Sequence, residues 1–306
     1  MTLRINYFDV VQRAVGTGDA KRLAQAIERL SATFRAGRPL SYGDVETRRA
    51  YLWHLLPAHV TDVSQLLEDH PALFEGAALK VVALGAGPGS EVLAFLDVLT
   101  RRRARGEPDR LARVEVQRVD HFGSWDKDFA ALYAAAREAC AERDPAFGVD
   151  YELEAPASGL VADLTLPLGV KVRDAVREAD LVLGINLLSE LPPRGEPELP
   201  EGTVGALRTL YAQLKPGAQV WWVDREGAPG VRERLEAAAD LALERPGVVR
   251  SELRTRHTRC GSKPTRKTRT LYNRVKLPTT KDQDQPVLNC RTAWVALTVG
   301  PRLEGE

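Results

Sequence analysis

Apolar positions along the chain fall into two textures that change near residue 79. From Asp19 to Arg35, Leu23, Ala26, Ile27, Leu30 and Phe34 recur at steps of three and four, the spacing of one helix face. A second helical stretch starts near Ser41, with Ser41 or Asp44 as its cap. It carries Tyr51, Leu52, Leu55 and Leu56 and is expected to break or kink at Pro57. Val60, Val63, Leu66 and Leu67 continue the pattern, so residues 1–78 are expected to form a helical domain or cap. At Leu79 the texture becomes Leu-Lys-Val-Val-Ala-Leu, a short β-branched run of the kind that makes a buried parallel strand, and it ends in glycines.

An alternating series follows. Helices are predicted over Glu91–Arg103, Trp125–Glu142, Val170–Glu178, Thr203–Leu214 and Pro229–Leu243, and strands over Val114–Asp120, Tyr151–Glu154, Asp180–Ile185, Ala218–Asp224 and Arg291–Val299. Strands separated by helices of this length predict an α/β fold with a doubly wound, mostly parallel sheet over residues 79–306. With 306 residues, 44% hydrophobic and 28% charged, the chain has material for a real core, which excludes a disordered or fibrous protein. No apolar run is long enough to cross a membrane, and Met1-Thr2-Leu3-Arg4 lacks the apolar stretch of a secretory signal, so a cytoplasmic location without membrane contact is expected. Cys140, Cys260 and Cys290 are far apart, and His54 and His59 are five residues apart. Neither set has metal-ligand spacing, and no metal is expected.

Gly85-Ala86-Gly87-Pro88-Gly89 stands between the first strand and the next helix. Glycines there let the backbone turn tightly and approach a ligand, and the helix N-terminus favours an anionic group. The spacing matches neither the G-x-G-x-x-G of dinucleotide-binding folds nor a Walker loop, which disfavours a nucleotide-dependent oxidoreductase. Asp120 closes the second strand, where a carboxylate can accept both hydroxyls of a ribose.

G-x-G-x-G after the first strand resembles the class I, Rossmann-like S-adenosylmethionine-dependent methyltransferases, over about residues 79–224. The resemblance implies S-adenosyl-L-methionine as cofactor, held by Gly85, Ala86, Gly87, Gly89, Glu91, Asp120 and His121. Asp163 would accept from the adenine amino group and Leu164 would pack against the ring. Asn186 and Glu190, after the fourth strand, would line the cofactor and substrate pocket, with Glu190 either accepting a proton from a ring nitrogen or capping the next element.

Narrower resemblances rest on Arg48-Arg49-Ala50-Tyr51-Leu52, Leu56-Pro57-Ala58-His59-Val60, the glycine loop through Glu91, Val119-Asp120 with Trp125, and Leu187-Leu188-Ser189-Glu190-Leu191-Pro192. These segments are similar to the fungal large-subunit rRNA uridine-N3 methyltransferase family and to the ribosomal small-subunit methyltransferase-like proteins, and both imply ribosomal RNA as partner. The chain departs from them in two places. It lacks the cysteine set for an iron–sulfur cluster found in the second group, and Ala83 stands where the wider family has an acid.

Charge supports the same partner. Between Arg250 and Lys276 lie ten basic residues and a single acid, Glu252, so this stretch is net +9 and the remainder net −8. A basic insertion at about 250–285 is therefore expected. Within it Arg256, Arg259, Lys263, Arg266, Lys267 and Arg269 would neutralise phosphates and Tyr272 would stack on an unpaired base. Trp221, Trp222 and Asp224 end the fifth strand, where an aromatic could stack on a base while alternation buries at least one tryptophan. Cys260, beside Arg259, is a candidate for the nucleophile of pyrimidine C5 methylation, although no Pro-Cys motif accompanies it. Two other functions fit the same residues: a ribosome-assembly factor that has lost catalysis, with Ala83 as its sign, and a small-molecule methyltransferase with the helical region as a lid.

Overall fold

The run from Leu79 to Leu84 forms a strand buried on both faces, which is why Lys80 is its one polar position. A computed structural model describes residues 5–36, 38, 40–107, 111–143, 152–260, 262, 263, 266, 269, 271 and 289–300. Within them β1 (Ala78–Leu84), β2 (Arg113–Asp120), β5 (Leu181–Ile185) and β6 (Gln219–Arg225) run parallel, and β9 (Asn289–Val299) is antiparallel to β6. β3 (Glu152–Glu154) and β4 (Leu160–Val161) pair with β2 as two pieces of one interrupted edge. β7 (Val248–Arg250) and β8 (Arg254–Arg259) pair with β9 in the same way.

The sheet order is β3-β2-β1-β5-β6-β9-β7. Strand order reverses between β1 and β5, which puts the crevice that open α/β sheets use for ligands at the carboxyl ends of these two strands. This is a doubly wound, mostly parallel α/β sheet with one antiparallel strand, β9.

Alternation along the strands feeds two cores. Val81, Ala83, Val116, Leu183 and Trp221 pack with α1 (Tyr7–Val15), α2 (Ala20–Arg35), α3 (Val45–His54), α4 (Leu56–Glu68), α5 (Ser90–Ala104) and α6 (Trp125–Ala141). Val82, Leu84, Val182, Val220 and Trp222 pack with α7 (Val170–Glu178), α8 (Glu201–Gln213) and α9 (Val231–Leu243). The helices before β1 thus share their core with one sheet face and with α5 and α6.

Caps are set by local chemistry: Asp19 accepts from the N–H groups of Lys21 and Arg22, and Asp44 from that of Thr47. Pro57 lies in the first turn of α4, where its missing N–H costs nothing, so it starts a new helix and does not kink an old one. α1 escapes the sequence pattern because nine residues span little more than two turns. It is held by long-range contacts, including the Tyr7 hydroxyl donating to the carbonyl of Leu93 at 2.6 Å.

Two expectations need correction. The basic stretch is not wholly an insertion, because β7 and β8 carry its first residues into the sheet. Neither Trp221 nor Trp222 can stack on a ligand. Both are fully buried, with the Trp222 indole N–H donating to the Tyr211 hydroxyl and Trp221 packed beside His70, because the two faces of β6 are both covered.

Trp222 also fills the space a side chain would need at Gly184, where a Cβ would lie 2.2 Å from the indole. Gly184→Ala is therefore expected to cost about 1–3 kcal/mol by overpacking, read as a lower denaturation midpoint with an unchanged denaturant slope.

Candidate functional site

A cavity of about 330 Å³ opens at the carboxyl ends of β1, β2 and β5. Its floor is the turn from β1 into α5. Gly85, Gly87 and Gly89 there all adopt left-handed φ, at 64°, 48° and 81°. A side chain at Gly85 would be strained by that φ and would also meet Leu187 at 2.7 Å; at Gly87 the backbone angle alone is the obstacle. Asp120 fixes this turn to the end of β2: one carboxylate oxygen accepts from the Gly87 N–H and the other from the Phe122 N–H, both at 2.8 Å. Burial raises its pKa, and these two bonds pull it back down. Each oxygen keeps lone pairs for a further donor.

Beneath the loop, the buried Arg118 lies 3.7 Å from the Phe129 ring centroid and donates to Asp126 and to the carbonyl of Ala157. It braces the loop from behind.

The structure brings Gly85, Gly87, Asp120, His121, Asp163, Leu164, Asn186 and Glu190 together on the cavity wall. Ala86, Gly89 and Glu91 stand behind that wall. Asp163 spends one oxygen on the Thr165 N–H and hydroxyl, at 2.8 and 2.7 Å, and its other oxygen lies 3.6 Å from His121 Nδ1. Those two hydrogen bonds and the His121 charge outweigh its slight burial, and its pKa is lowered. Asn186 adopts φ 53° and donates its N–H to the Val223 carbonyl at 2.7 Å. Glu91 is 1% exposed, with the Ser90 hydroxyl donating to it at 3.1 Å, and burial pushes its pKa up to about 8. Ala83 is fully buried in the core face toward the helices and does not reach the cavity, because residues two apart on β1 share that face.

Sequence reasoning missed the opposite wall. Leu40, Tyr42 and Tyr51, from the segment before β1, line the cavity together with Phe122 and Trp125. Tyr42 lies edge-on to Tyr51 and Phe122, with ring centroids 5.6 and 5.8 Å away, and 5.2 Å from Trp125. Arg48 explains why the loop sits there. It donates to the Tyr42 carbonyl at 2.9 Å and pairs with Asp128 on α6 at 2.5 Å, while Ser124 donates to the same carbonyl. The signal was the Arg48–Tyr51 motif itself, whose contacts lie about 80 residues away in sequence.

Glu190, in the 3-10 turn Leu188–Glu190, is held by three groups: the Tyr42 hydroxyl at 3.2 Å, Arg194 at 3.0 Å and Arg225 at 3.8 Å. Burial raises its pKa and the two guanidiniums oppose this. The loop that carries it is built from below. Arg234 of α9, 1% exposed, donates to the carbonyls of Leu188, Leu191, Pro193 and Glu196, and the buried Asp224 accepts from the Ser189 N–H at 2.8 Å.

The basic candidates lie apart from the cavity wall. Arg259, Lys263, Arg266 and Arg269 are exposed, whereas Arg256 is half-buried and ion-paired with Asp69. Lys267 and Tyr272 lie outside the described residues. Cys260 is also off the cavity wall, with its Sγ 3.8 Å from the Thr61 hydroxyl. No helix among the described residues is long and apolar enough to cross a membrane.

No protein-family model matches the chain, and no curated protein is similar to it in sequence. Among solved structures it is similar to the mitomycin 7-O-methyltransferase MmcR, with 17% identity over 90% of this chain and 67% of that one, and a TM-score of 0.41. It is also similar to the citrinin polyketide synthase CMeT domain, with 14% identity, 85% and 59% coverage and a TM-score of 0.39. A third is a precorrin-6y C5,15-methyltransferase from Geobacter metallireducens, with 10% identity, 76% and 86% coverage and a TM-score of 0.38. Likenesses this distant say nothing of substrate or activity, which rest on the residues of the site.

Glu91 titrates near 8 in the fold against an ordinary value of 4.5, so folding favours its protonated form. That contribution is complete below 4.5 and is lost as pH rises through 8. Glu91→Gln is accordingly expected to raise the thermal midpoint relative to wild type more at about pH 8.5 than at about pH 5, measured by melts across that range.

Proposed function

We propose that the chain is an S-adenosylmethionine-dependent methyltransferase whose acceptor is a base in RNA, ribosomal RNA being the RNA its motifs resemble. The observation that carries the cofactor is the left-handed glycine turn tied to Asp120 at the wall of the switch-point cavity. A side chain at Gly85 would clash there, and Asp120 keeps acceptor capacity on both oxygens. This is the chemistry needed for a backbone cradle and a ribose diol. Asp120 and the glycine turn would hold the nucleoside and methionine parts, with Leu164 against the adenine.

Bound S-adenosylmethionine supplies a methyl group already activated on a sulfonium. The protein's share is alignment, exclusion of water and one proton. Tyr42, Tyr51 and Trp125 line the cavity, and Glu190, which meets Arg194 and the Tyr42 hydroxyl there, would accept a proton from a ring nitrogen.

The cofactor is tested by calorimetric titration with S-adenosylmethionine. Saturable binding by wild type, lost in Gly87→Arg and Asp120→Ala, is the expected result. A folded wild-type protein that binds none would leave the fold as a non-catalytic RNA-binding body.

What supports RNA is the basic stretch, whose exposed Arg259, Lys263, Arg266 and Arg269 leave one edge of an otherwise acidic chain positive. A small-molecule acceptor is favoured by a different observation, the presence of Leu40, Tyr42 and Tyr51 from the N-terminal segment in the cavity lining. Charge reversal of Arg259, Lys263 and Arg269 separates the two. The RNA reading expects affinity for structured RNA that falls steeply with salt in wild type and drops at least about tenfold in the variant at low salt. Unchanged affinity would favour the small-molecule acceptor.

A further inference from the structure

Arg194 is a buried cation whose hydrogen-bonding capacity is mostly unused. Its side chain is 6% exposed, it lines the cavity, and among the described residues its polar contact is Glu190 alone, at 3.0 Å. Its Nε is buried without a partner, and the guanidinium stands over the Phe34 ring, 5.3 Å from the centroid. Arg234, 1% exposed, shows what a structural arginine looks like in this fold: its donors are shared among four carbonyls. A guanidinium carries five N–H donors in a planar fork, and a buried one left short of acceptors is costly unless something else supplies them.

Glu190 does not balance Arg194, because it is shared with Arg225 and the Tyr42 hydroxyl. Asp224, beside this group, is occupied by the N–H groups of Ser189 and Arg225. Glu196 and Glu198 face Arg234 together with Asp224, whereas Arg194, the arginine on the cavity wall, has Glu190 alone beside it among the described residues.

From this arrangement we infer that Arg194 binds an anionic oxygen of the methyl acceptor, beside the aromatic wall of Tyr42, Phe122 and Trp125. The inference rests on the cavity being the site of methyl transfer and adds the class of acceptor: a flat ring bearing an acidic group. In a target nucleotide that group is its phosphate; in a small aromatic acid it is the carboxylate. Fork geometry suits either, and it disfavours a cationic amine.

The test uses wild-type protein saturated with S-adenosylhomocysteine, so that no turnover intervenes. Each of the four ribonucleoside 5′-monophosphates is titrated beside its nucleoside, with benzoate beside benzyl alcohol as the carboxylate arm. At least one anion is expected to bind about tenfold or more tighter than its uncharged partner, the scale of a charge-assisted pair. Arg194→Gln is expected to erase that preference while S-adenosylhomocysteine still binds, and Arg194→Lys to keep part of it.

A preference confined to the monophosphates identifies a nucleotide acceptor, and one confined to benzoate an aromatic acid. The inference is overturned if wild type prefers no anion, or if the preference survives in Arg194→Gln. Should Arg194→Gln fail to bind S-adenosylhomocysteine, the wild-type preference and its weakening in Arg194→Lys decide. Failure of wild type to bind S-adenosylhomocysteine would instead refute the cofactor reading.

Discussion

Asp120 accepts the N–H groups of Gly87 and Phe122 with its two oxygens, and through them it locks the β1–α5 turn to the end of β2. Parallel strands that end side by side leave backbone N–H groups pointing at the crevice, and an unpaired one there would be costly. A carboxylate is the side chain that can serve both and still accept from a ligand. Burial works against its charge, so the site stands on hydrogen bonds that must all be made at once. Arg118 supports the same turn from beneath by donating to Asp126 and the Ala157 carbonyl.

The other half of the cavity has a parallel construction with the charges exchanged. There a buried cation, Arg234, gathers four carbonyls of the Leu188–Glu196 loop, and Asp224 takes the Ser189 N–H. Irregular backbone near the core needs partners for its polar groups, and a guanidinium supplies several from one side chain. Glu190 is thereby carried to the wall on a loop fixed from below. The cap is fixed from a third direction, by Arg48 reaching Asp128.

Placing the cap in the same core as the sheet has a consequence for substrate entry. Tyr42, in the turn before α3, and Tyr51, on α3, are part of the cavity wall, yet they sit in the core shared with α5 and α6, the elements that follow the glycine turn and carry Trp125. Cofactor and acceptor would share one rigid wall, and a change in the cap would be felt by both. The basic strand β8 lies on the side of β9 away from β6, apart from the cavity wall.

Period-two and period-three-to-four patterns made the sheet, most helices and the glycine turn legible from the chain alone, because each depends on neighbours within a few residues. Asp120 was legible for the same reason, because it closes β2, whereas Asp163 follows β4, a two-residue strand that no periodicity marked. Elements whose stability comes from distant contacts were not legible. α1 is too short for its period to stand out, and β8 reads as a charge run because its arginines hide the alternation of an edge strand. Trp221 and Trp222 looked available because alternation suggests one exposed face, and only the layer packing shows that both faces of β6 are covered. The aromatic wall and Arg194 belong to this second class as well. Local sequence determined which residues could turn, cap and carry charge; the tertiary structure decided which charges were satisfied, since a hydrogen-bond partner about 40 to 150 residues away leaves no mark on the chain beside it.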